Sequence, residues 1–191
     1  MPYGEAALDT YYVYDGFGNL KYVFPPKASA LLAQGIVSST TIIQSYRYSY
    51  DSRNRLVSKT LPDVSSVYMA YDAADRLVLS QDGNQRSRGV CTFHIYDAHG
   101  RECVMGECYN TIDYNGVATT DYAKATYTGT GGYMGYTISG ITLDNPTILS
   151  VKYYDSYGHI GNDSLDYVYD PLYGLLHPCP RGLLTGEDSA L

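Results

Sequence analysis

The chain has 191 residues, 45% of them hydrophobic, and a formal net charge of −7. It is too apolar for a disordered tail. Its acidic balance excludes the clustered Lys/Arg footprint that nucleic-acid phosphates require and gives no attraction to an anionic membrane surface, and no apolar run approaches the roughly 18–20 residues of a transmembrane helix. Tyrosine dominates the aromatic residues, with 23 Tyr against 3 Phe and no Trp, alongside 19 Gly. That composition suits a sheet-rich protein with many tight turns, because a Tyr ring packs on a pleated surface while its hydroxyl reaches water or a partner.

Along the chain, residues 1–26 read as a first hairpin around Tyr14-Asp15-Gly16-Phe17-Gly18-Asn19-Leu20, ended by Pro25-Pro26 because proline cannot feed a ladder. A short helix is expected near 27–34, with Pro26 at its start and Gly35 at its end. Residues 46–108 hold three further copies of the same motif: Tyr50-Asp51-Ser52-Arg53-Asn54-Arg55-Leu56, Tyr71-Asp72-Ala73-Ala74-Asp75-Arg76-Leu77 and Tyr96-Asp97-Ala98-His99-Gly100-Arg101-Glu102. Asp82-Gly83-Asn84 between them reads as a turn, without the acidic series of a calcium loop. A Thr/Gly/Tyr-rich insertion follows over 109–150. It has an expected two-residue turn at Asn115-Gly116, loops at Gly129-Thr130-Gly131-Gly132 and Asn145-Pro146, and strands at Tyr136-Thr137-Ile138 and Ile148–Val151. The last copies lie in 151–191: Tyr154-Asp155-Ser156-Tyr157-Gly158-His159-Ile160 and a degenerate Tyr169-Asp170-Pro171-Leu172-Tyr173-Gly174-Leu175. Gly182-Leu183-Leu184-Thr185-Gly186 then reads as a strand entering a turn, and the chain reads as an excerpt of a longer one, without signal-peptide features at its start. No linker divides it, so 1–191 is expected to be a single module, mostly β, of successive antiparallel hairpins in a curved, twisted sheet with one short helix.

The motif carries its own turn chemistry. Asp at the first position of a type I turn accepts from backbone N–H groups ahead of it. The fourth position is Gly18, Asn54, Asp75, Gly100 or Gly158, residue types that tolerate a left-handed backbone. Together these specify a three-residue hairpin loop closed by one left-handed residue. Its register sets Asp51 opposite Arg55, Asp72 opposite Arg76 and Asp97 opposite Arg101. It sets Tyr14, Tyr50, Tyr71 and Tyr154 opposite Leu20, Leu56, Leu77 and Ile160, and Cys103 opposite Ile95. The Asp–Arg pairs are expected to be exposed, pinning register rather than adding much as ion pairs.

Residues that invite a chemical reading are few. Cys91, His94, His99, Cys103 and Cys108 cluster in sequence. Their spacing matches no zinc pattern, and alternation along a strand sends Cys91 and His94 to opposite faces. No metal or cofactor is expected. The cysteines read as buried or half-buried free thiols; the alternative is a disulfide among Cys91, Cys103, Cys108 and Cys179, which an exported protein allows, with Cys91 and Cys103 out of register with each other and connectivity otherwise left open. The repeat aspartates recur beside turns, which marks them as structural, and no nucleophile, phosphate-loop or dinucleotide fingerprint is present. Tyr12, Tyr14, Tyr22, Tyr48, Tyr50 and Tyr71 are candidate ligand-facing residues, set against mutual packing of neighbouring hairpins.

The copies resemble the tyrosine–aspartate (YD) repeats of RHS-type proteins, large secreted or surface proteins of bacteria. The stretch from Tyr11-Tyr12-Val13-Tyr14-Asp15 to Lys21-Tyr22-Val23-Phe24-Pro25-Pro26 is similar to RHS proteins of the Bacteroidetes type, as are Tyr153-Tyr154-Asp155 and Gly182–Gly186 to later stretches of them. The resemblance implies a β-ribbon that winds into a hollow shell, often around a toxic C-terminal domain, in a secreted or cell-surface protein. It implies the rest of a parent chain or its cargo domain as partner. The family's self-cleaving core, with its paired aspartates, has no match here. The expectation is a non-catalytic shell or scaffold module; the alternative is a cell-surface module binding glycans or a protein partner through exposed tyrosines.

Overall fold

The computed structural model describes residues 9–113, 116–118, 121–161 and 182–189, together with the backbone of strands at 167–170 and 175–178. Four hairpins follow one another: β1 (Tyr11–Tyr14) with β2 (Leu20–Phe24), β3 (Tyr46–Tyr50) with β4 (Leu56–Thr60), β5 (Val67–Tyr71) with β6 (Leu77–Gln81), and β7 (Cys91–Tyr96) with β8 (Glu102–Cys108). After β9 (Lys124–Gly131) and β10 (Gly135–Ser139) come β11 (Thr147–Tyr154) and β14 (Leu184–Ser189), with β12 (Tyr167–Asp170) and β13 (Leu175–Pro178) between the last two. The protein is mostly β: an open 12-stranded sheet in the order β1-β2-β3-β4-β5-β6-β7-β8-β11-β14, with the β9–β10 hairpin joined at β7 and β12–β13 paired separately.

The hairpins share one geometry. In each of the first four the Asp N–H donates to the carbonyl four residues on, and the fourth-position N–H donates back to the Asp carbonyl. Gly18, Asn54, Asp75 and Gly100 take φ of 84°, 60°, 60° and 81°, the left-handed closure that Asn and Asp tolerate and Gly adopts freely. Tyr14, Tyr50 and Tyr71 stand opposite Leu20, Leu56 and Leu77, and Tyr96 opposite Glu102. One residue further every register slips by one. Lys21, Val57, Val78 and Cys103 are the extra residues there; Lys21 is exposed and the other three are buried. Cys103 is therefore not opposite Ile95, as the simple register sets it; Val104 is. A bulge in every second strand bends it and increases its twist, which curves the sheet repeat by repeat.

The fifth copy differs from its expected form. Residues Gly158–Ile160 form a 3-10 turn, so Gly158 closes no hairpin and Tyr154 does not face Ile160. Tyr154 pairs instead with Leu184, the Asp155 N–H donates to the Leu183 carbonyl, and Gly182 takes φ 76°. The repeat is split. Its Tyr-Asp half is at 154–155 and its Gly-Leu-Leu half at 182–184, with β12–β13 inserted between. Asn115 of the expected Asn115-Gly116 turn and residues 171–174 of the sixth copy lie outside the described residues.

Helix α1 (Pro26–Ala33) starts with Pro at its first turn and meets Gly35 at φ 73°. Two short helices were not foreseen. In α2 (Ser39–Ile43) and α3 (Gly83–Arg88), Ser38 and Asp82 form reciprocal capping boxes with Thr41 and Gln85, satisfying first-turn donors that the helix leaves orphaned. Asp82-Gly83-Asn84 is thus a helix start. Gly129-Thr130-Gly131, read as loop, belongs to β9, where Gly131 pairs with Gly135.

The main hydrophobic core lies under β5–β8 and β11. Phe93, Ile95, Val78, Val104 and Val151 are fully buried at its centre. The insertion covers this face with Ile112, Ala123, Ala125, Tyr136 and Leu143. Alternation along β7 keeps Cys91, Phe93 and Ile95 inside and Thr92, His94 and Tyr96 partly exposed, as a sheet with one covered face requires.

Candidate functional site

The repeat aspartates and arginines form one row of turns at one end of the strands. Each repeat aspartate uses Oδ1 to accept from the backbone N–H two and four residues ahead: Asp15 from Phe17 and Asn19, Asp51 from Arg53 and Arg55, Asp72 from Ala74 and Arg76, Asp97 from His99 and Arg101. Oδ2 takes the side chain across the turn, with Nε of Arg55, Arg76 and Arg101 at 2.6, 3.0 and 2.6 Å. These pairs are not exposed as expected, for the side chains of both partners are largely covered in all three. Asp72 is only 1% accessible, because the insertion closes over it: Ala123 donates its N–H to Asp72 Oδ2 and accepts from Arg76 Nη2. Burial alone would raise the Asp51, Asp72 and Asp97 carboxyls. The arginine and backbone donors outweigh it and hold all three below the ordinary carboxylate value.

The tyrosines join one hairpin to the next. The hydroxyls of Tyr50, Tyr71, Tyr96 and Tyr154 donate to the carbonyls of Leu20, Leu56, Leu77 and Glu102, each the first residue of the second strand of the hairpin before, at 2.8–3.1 Å. Arg55, Arg76 and Arg101 lie over the rings of Tyr71, Tyr96 and Tyr154 at 5.0, 5.4 and 4.4 Å, a cation–π contact. The same arginines reach forward to the next aspartate: Arg55 and Arg76 to the Asp72 and Asp97 carbonyls, Arg101 to both Asp155 carboxylate oxygens. Mutual packing was foreseen in the sequence, but the hydroxyl-to-carbonyl bond was missed. Its signal was the preference for Tyr over Phe, since only Tyr carries that donor.

Tyr71→Phe is expected to cost about 1 kcal/mol in denaturant unfolding, the net value of one hydrogen bond, because the Leu56 carbonyl loses its partner. Tyr12→Phe, at an exposed position, is expected to stay within about 0.5 kcal/mol of the parent.

The other candidate tyrosines are placed differently. Tyr22 stacks on Phe24 at 5.7 Å, and Tyr12 and Tyr14 are each 59% exposed on β1. Tyr48 and Tyr50 line an open groove of about 530 Å³ between the first two turns, with Asp15, Phe17, Lys21 and Asp51.

Cys91 stands opposite Cys108, their sulfurs 3.4 Å apart, both buried and both free thiols. Burial pushes the Cys103 thiol up to about 11, leaving it protonated at neutral pH. His94 contacts Glu102 at 2.6 Å and Lys152 holds the other Glu102 oxygen at 3.1 Å. His99 is in the Asp97 turn. Among the described residues no three His, Cys, Asp or Glu side chains gather as a metal-ligand set.

No family model and no curated protein matches the sequence. Solved structures similar to the chain include a TcdB2-TccC3 crystal structure at 17% identity and TM-score 0.40, covering 76% of this chain. Another is a Photorhabdus luminescens Tc holotoxin pore carrying a TccC3 mutation, at 14% identity and TM-score 0.39, covering 87%. This chain spans 7% and 9% of those two chains.

Proposed function

We propose that the chain is a non-catalytic wall or scaffold module of a larger exported RHS-type protein, enclosing or displaying other parts of its parent. The observation that carries this reading is that the repeat's reactive-looking groups already have structural partners. The Asp oxygens hold backbone N–H groups and arginine, and the tyrosine hydroxyls hold the carbonyls of the preceding hairpin. A carboxylate used this way acts by stabilising a turn rather than by moving protons. The partners that fit are the remainder of a parent chain or its cargo, in a secreted or surface setting.

A second reading rests on the groove beside Tyr48 and Tyr50. Aromatic faces next to carboxylates are a surface on which a sugar ring can stack and hydrogen-bond, and this would make the chain a glycan-binding module. A glycan array followed by tyrosine-fluorescence titration separates the two. The scaffold reading expects no saturable sugar binding. Saturable binding that is lost in Tyr48→Ala would overturn it in favour of the groove.

A further inference from the structure

The β7–β8 hairpin turns at Asp97–Arg101 and ends, at its open side, on the pair Cys91–Cys108, the first residue of β7 against the last of β8. Directly opposite residues of an antiparallel pair have Cα atoms roughly 4.5 or 5.5 Å apart, depending on the kind of rung they occupy. Both separations lie inside the range a disulfide spans, roughly 4.4–6.8 Å. Opposite side chains also share a face of the sheet, here the covered one, where both cysteines are fully buried. The structure holds the two as free thiols with their sulfurs 3.4 Å apart. Small rotations of the side chains bring such sulfurs to the bond length of about 2 Å.

No other described cysteine competes for either sulfur. Cys103 lies five positions before Cys108 on β8, and Cys91 is level with Cys108. It is therefore roughly 16 Å along the ladder from both, and its thiol is turned to the Arg101 carbonyl at 3.5 Å. Cys179 lies outside the described residues.

The pair sits where the chain leaves the sheet. β8 ends at Cys108 and the insertion begins at Tyr109. Its first residues are tied to its last loop: the Tyr109 N–H donates to the Asp144 carbonyl at 2.9 Å, Asn110 Nδ2 to the Thr142 carbonyl at 2.8 Å, and the Asp144 N–H to Asn110 Oδ1 at 2.8 Å. The Cys91 thiol donates to the Asn110 carbonyl at 3.4 Å, and Ile112 and Leu143 share the buried cluster with both cysteines. The insertion thus seals the pair. The register that aligns the two thiols needs none of it, because the Asp97 turn sets that register within the hairpin. The thiols can meet while the insertion is still open and are covered when it closes.

We propose that Cys91 and Cys108 are a disulfide-forming pair, closed during folding by an oxidant that is itself a disulfide and then locked beneath the insertion. One cysteine thiolate attacks a sulfur of the oxidant, forming a mixed disulfide and releasing one thiol. The other thiolate then attacks the protein sulfur of that mixed disulfide, forming the Cys91–Cys108 bond and releasing the second thiol. Two protein thiols lose two protons and two electrons, and one oxidant disulfide becomes two thiols. The bond ties the open end of the hairpin against its turn and stabilises the fold by constraining the unfolded chain. The inference rests on the hairpin register and not on the scaffold reading, so sugar binding and disulfide mapping can fail independently.

The test uses the full chain, unfolded with its cysteines reduced and then refolded by dilution into reduced and oxidised glutathione. Remaining thiols are alkylated before peptide mapping. The map is expected to join position 91 to position 108 and to find Cys103 alkylated. Linkage of either residue to Cys103 or Cys179 in its place, or alkylation of both 91 and 108, would overturn the proposal. In a second arm the chain folded under reductant meets the same mixture. The bond is expected to form many-fold more slowly there than during refolding, since exchange follows access to the sulfur; equal rates would overturn the locking. The linked chain is expected to unfold at higher denaturant than the same chain after reduction, and Cys91→Ser to show no such difference. A difference that persists in Cys91→Ser would assign the stabilising bond to another pair. The peptide map needs no variant, so it decides the pairing even where Cys91→Ser does not fold.

Discussion

Asp72→Ala is expected to destabilise the protein by about 3–5 kcal/mol, the cost of removing one partner from a buried ion pair. Asp72 is the aspartate on which the most depends. It accepts from the backbone of Ala74, Arg76 and Ala123 and from the Arg76 guanidinium. Truncation leaves three backbone donors without their acceptor and takes the carboxylate from Arg76, which keeps only the Ala123 and Asp97 carbonyls, in a place the insertion seals from water. Asp72→Asn keeps an acceptor for the turn but loses the charge facing Arg76, and about 2 kcal/mol is expected. Asp15→Ala, at the same repeat position, is expected to lose only a small fraction of the Asp72→Ala value, because its turn is open to water and Asn19 replaces arginine. Denaturant unfolding of the three variants checks this order. Equal losses for Asp72→Ala and Asp15→Ala would refute burial as the cause.

The same carboxylates set the response to acid. Asp51, Asp72 and Asp97 are held below their ordinary value in the folded chain, so each binds a proton less readily folded than unfolded. Their contribution is complete above the unfolded value of about 4 and is lost as pH falls through the lower folded values. Stability measured against pH is expected to decline below about pH 4, and to decline less steeply in Asp72→Asn.

What could be read in the sequence was local. Tyr-Asp with Gly, Asn or Asp three residues after the Asp specifies its own turn, and the hairpin register at Tyr14, Tyr50 and Tyr71 needs nothing beyond seven consecutive residues. What could not be read depended on distant chain. The burial of Asp72 is made by Ala123, 51 residues away. The fifth repeat kept its Tyr-Asp signature at 154–155 yet takes its partner from 182–184. There Ser156-Tyr157-Gly158 mimics a turn, and nothing nearby distinguishes it from the true ones. The α3 start was legible after all, since Asp82 with Gln85 three residues later is a capping-box pattern. The α2 sequence Ser-Thr-Thr-Ile-Ile is rich in β-branched residues and speaks against a helix.

The second large effect is expected at the centre of the core. Phe93 is fully buried and stands opposite Leu79 on one side and Gly106 on the other. Gly106 is glycine because two things occupy the space of a side chain. A Cβ built there would meet the Thr147 carbonyl oxygen of β11 and lie 2.7 Å from the Phe93 ring. The ring thus covers a residue that brings no side chain of its own, and β11 gains its close approach to β8. Phe93→Ala removes the ring and leaves a cavity, at an expected cost of about 3–5 kcal/mol. Gly106→Ala forces β11 away at an expected cost of about 1–3 kcal/mol. The two losses should differ in where they fall. A sheet built hairpin upon hairpin shares stability mainly between neighbours. Hydrogen exchange in Gly106→Ala is therefore expected to accelerate in β11 and β14 while β3–β6 keep their protection. In Phe93→Ala it should accelerate on both sides, since the ring touches the core shared by β6, β7 and β8. Removing the ring in the Gly106→Ala background would relieve only the side-chain collision, because the Thr147 carbonyl is backbone and must still move. Full recovery of β11 protection in that double variant would show that the ring, and not the close approach of β8 and β11, is what requires glycine at 106.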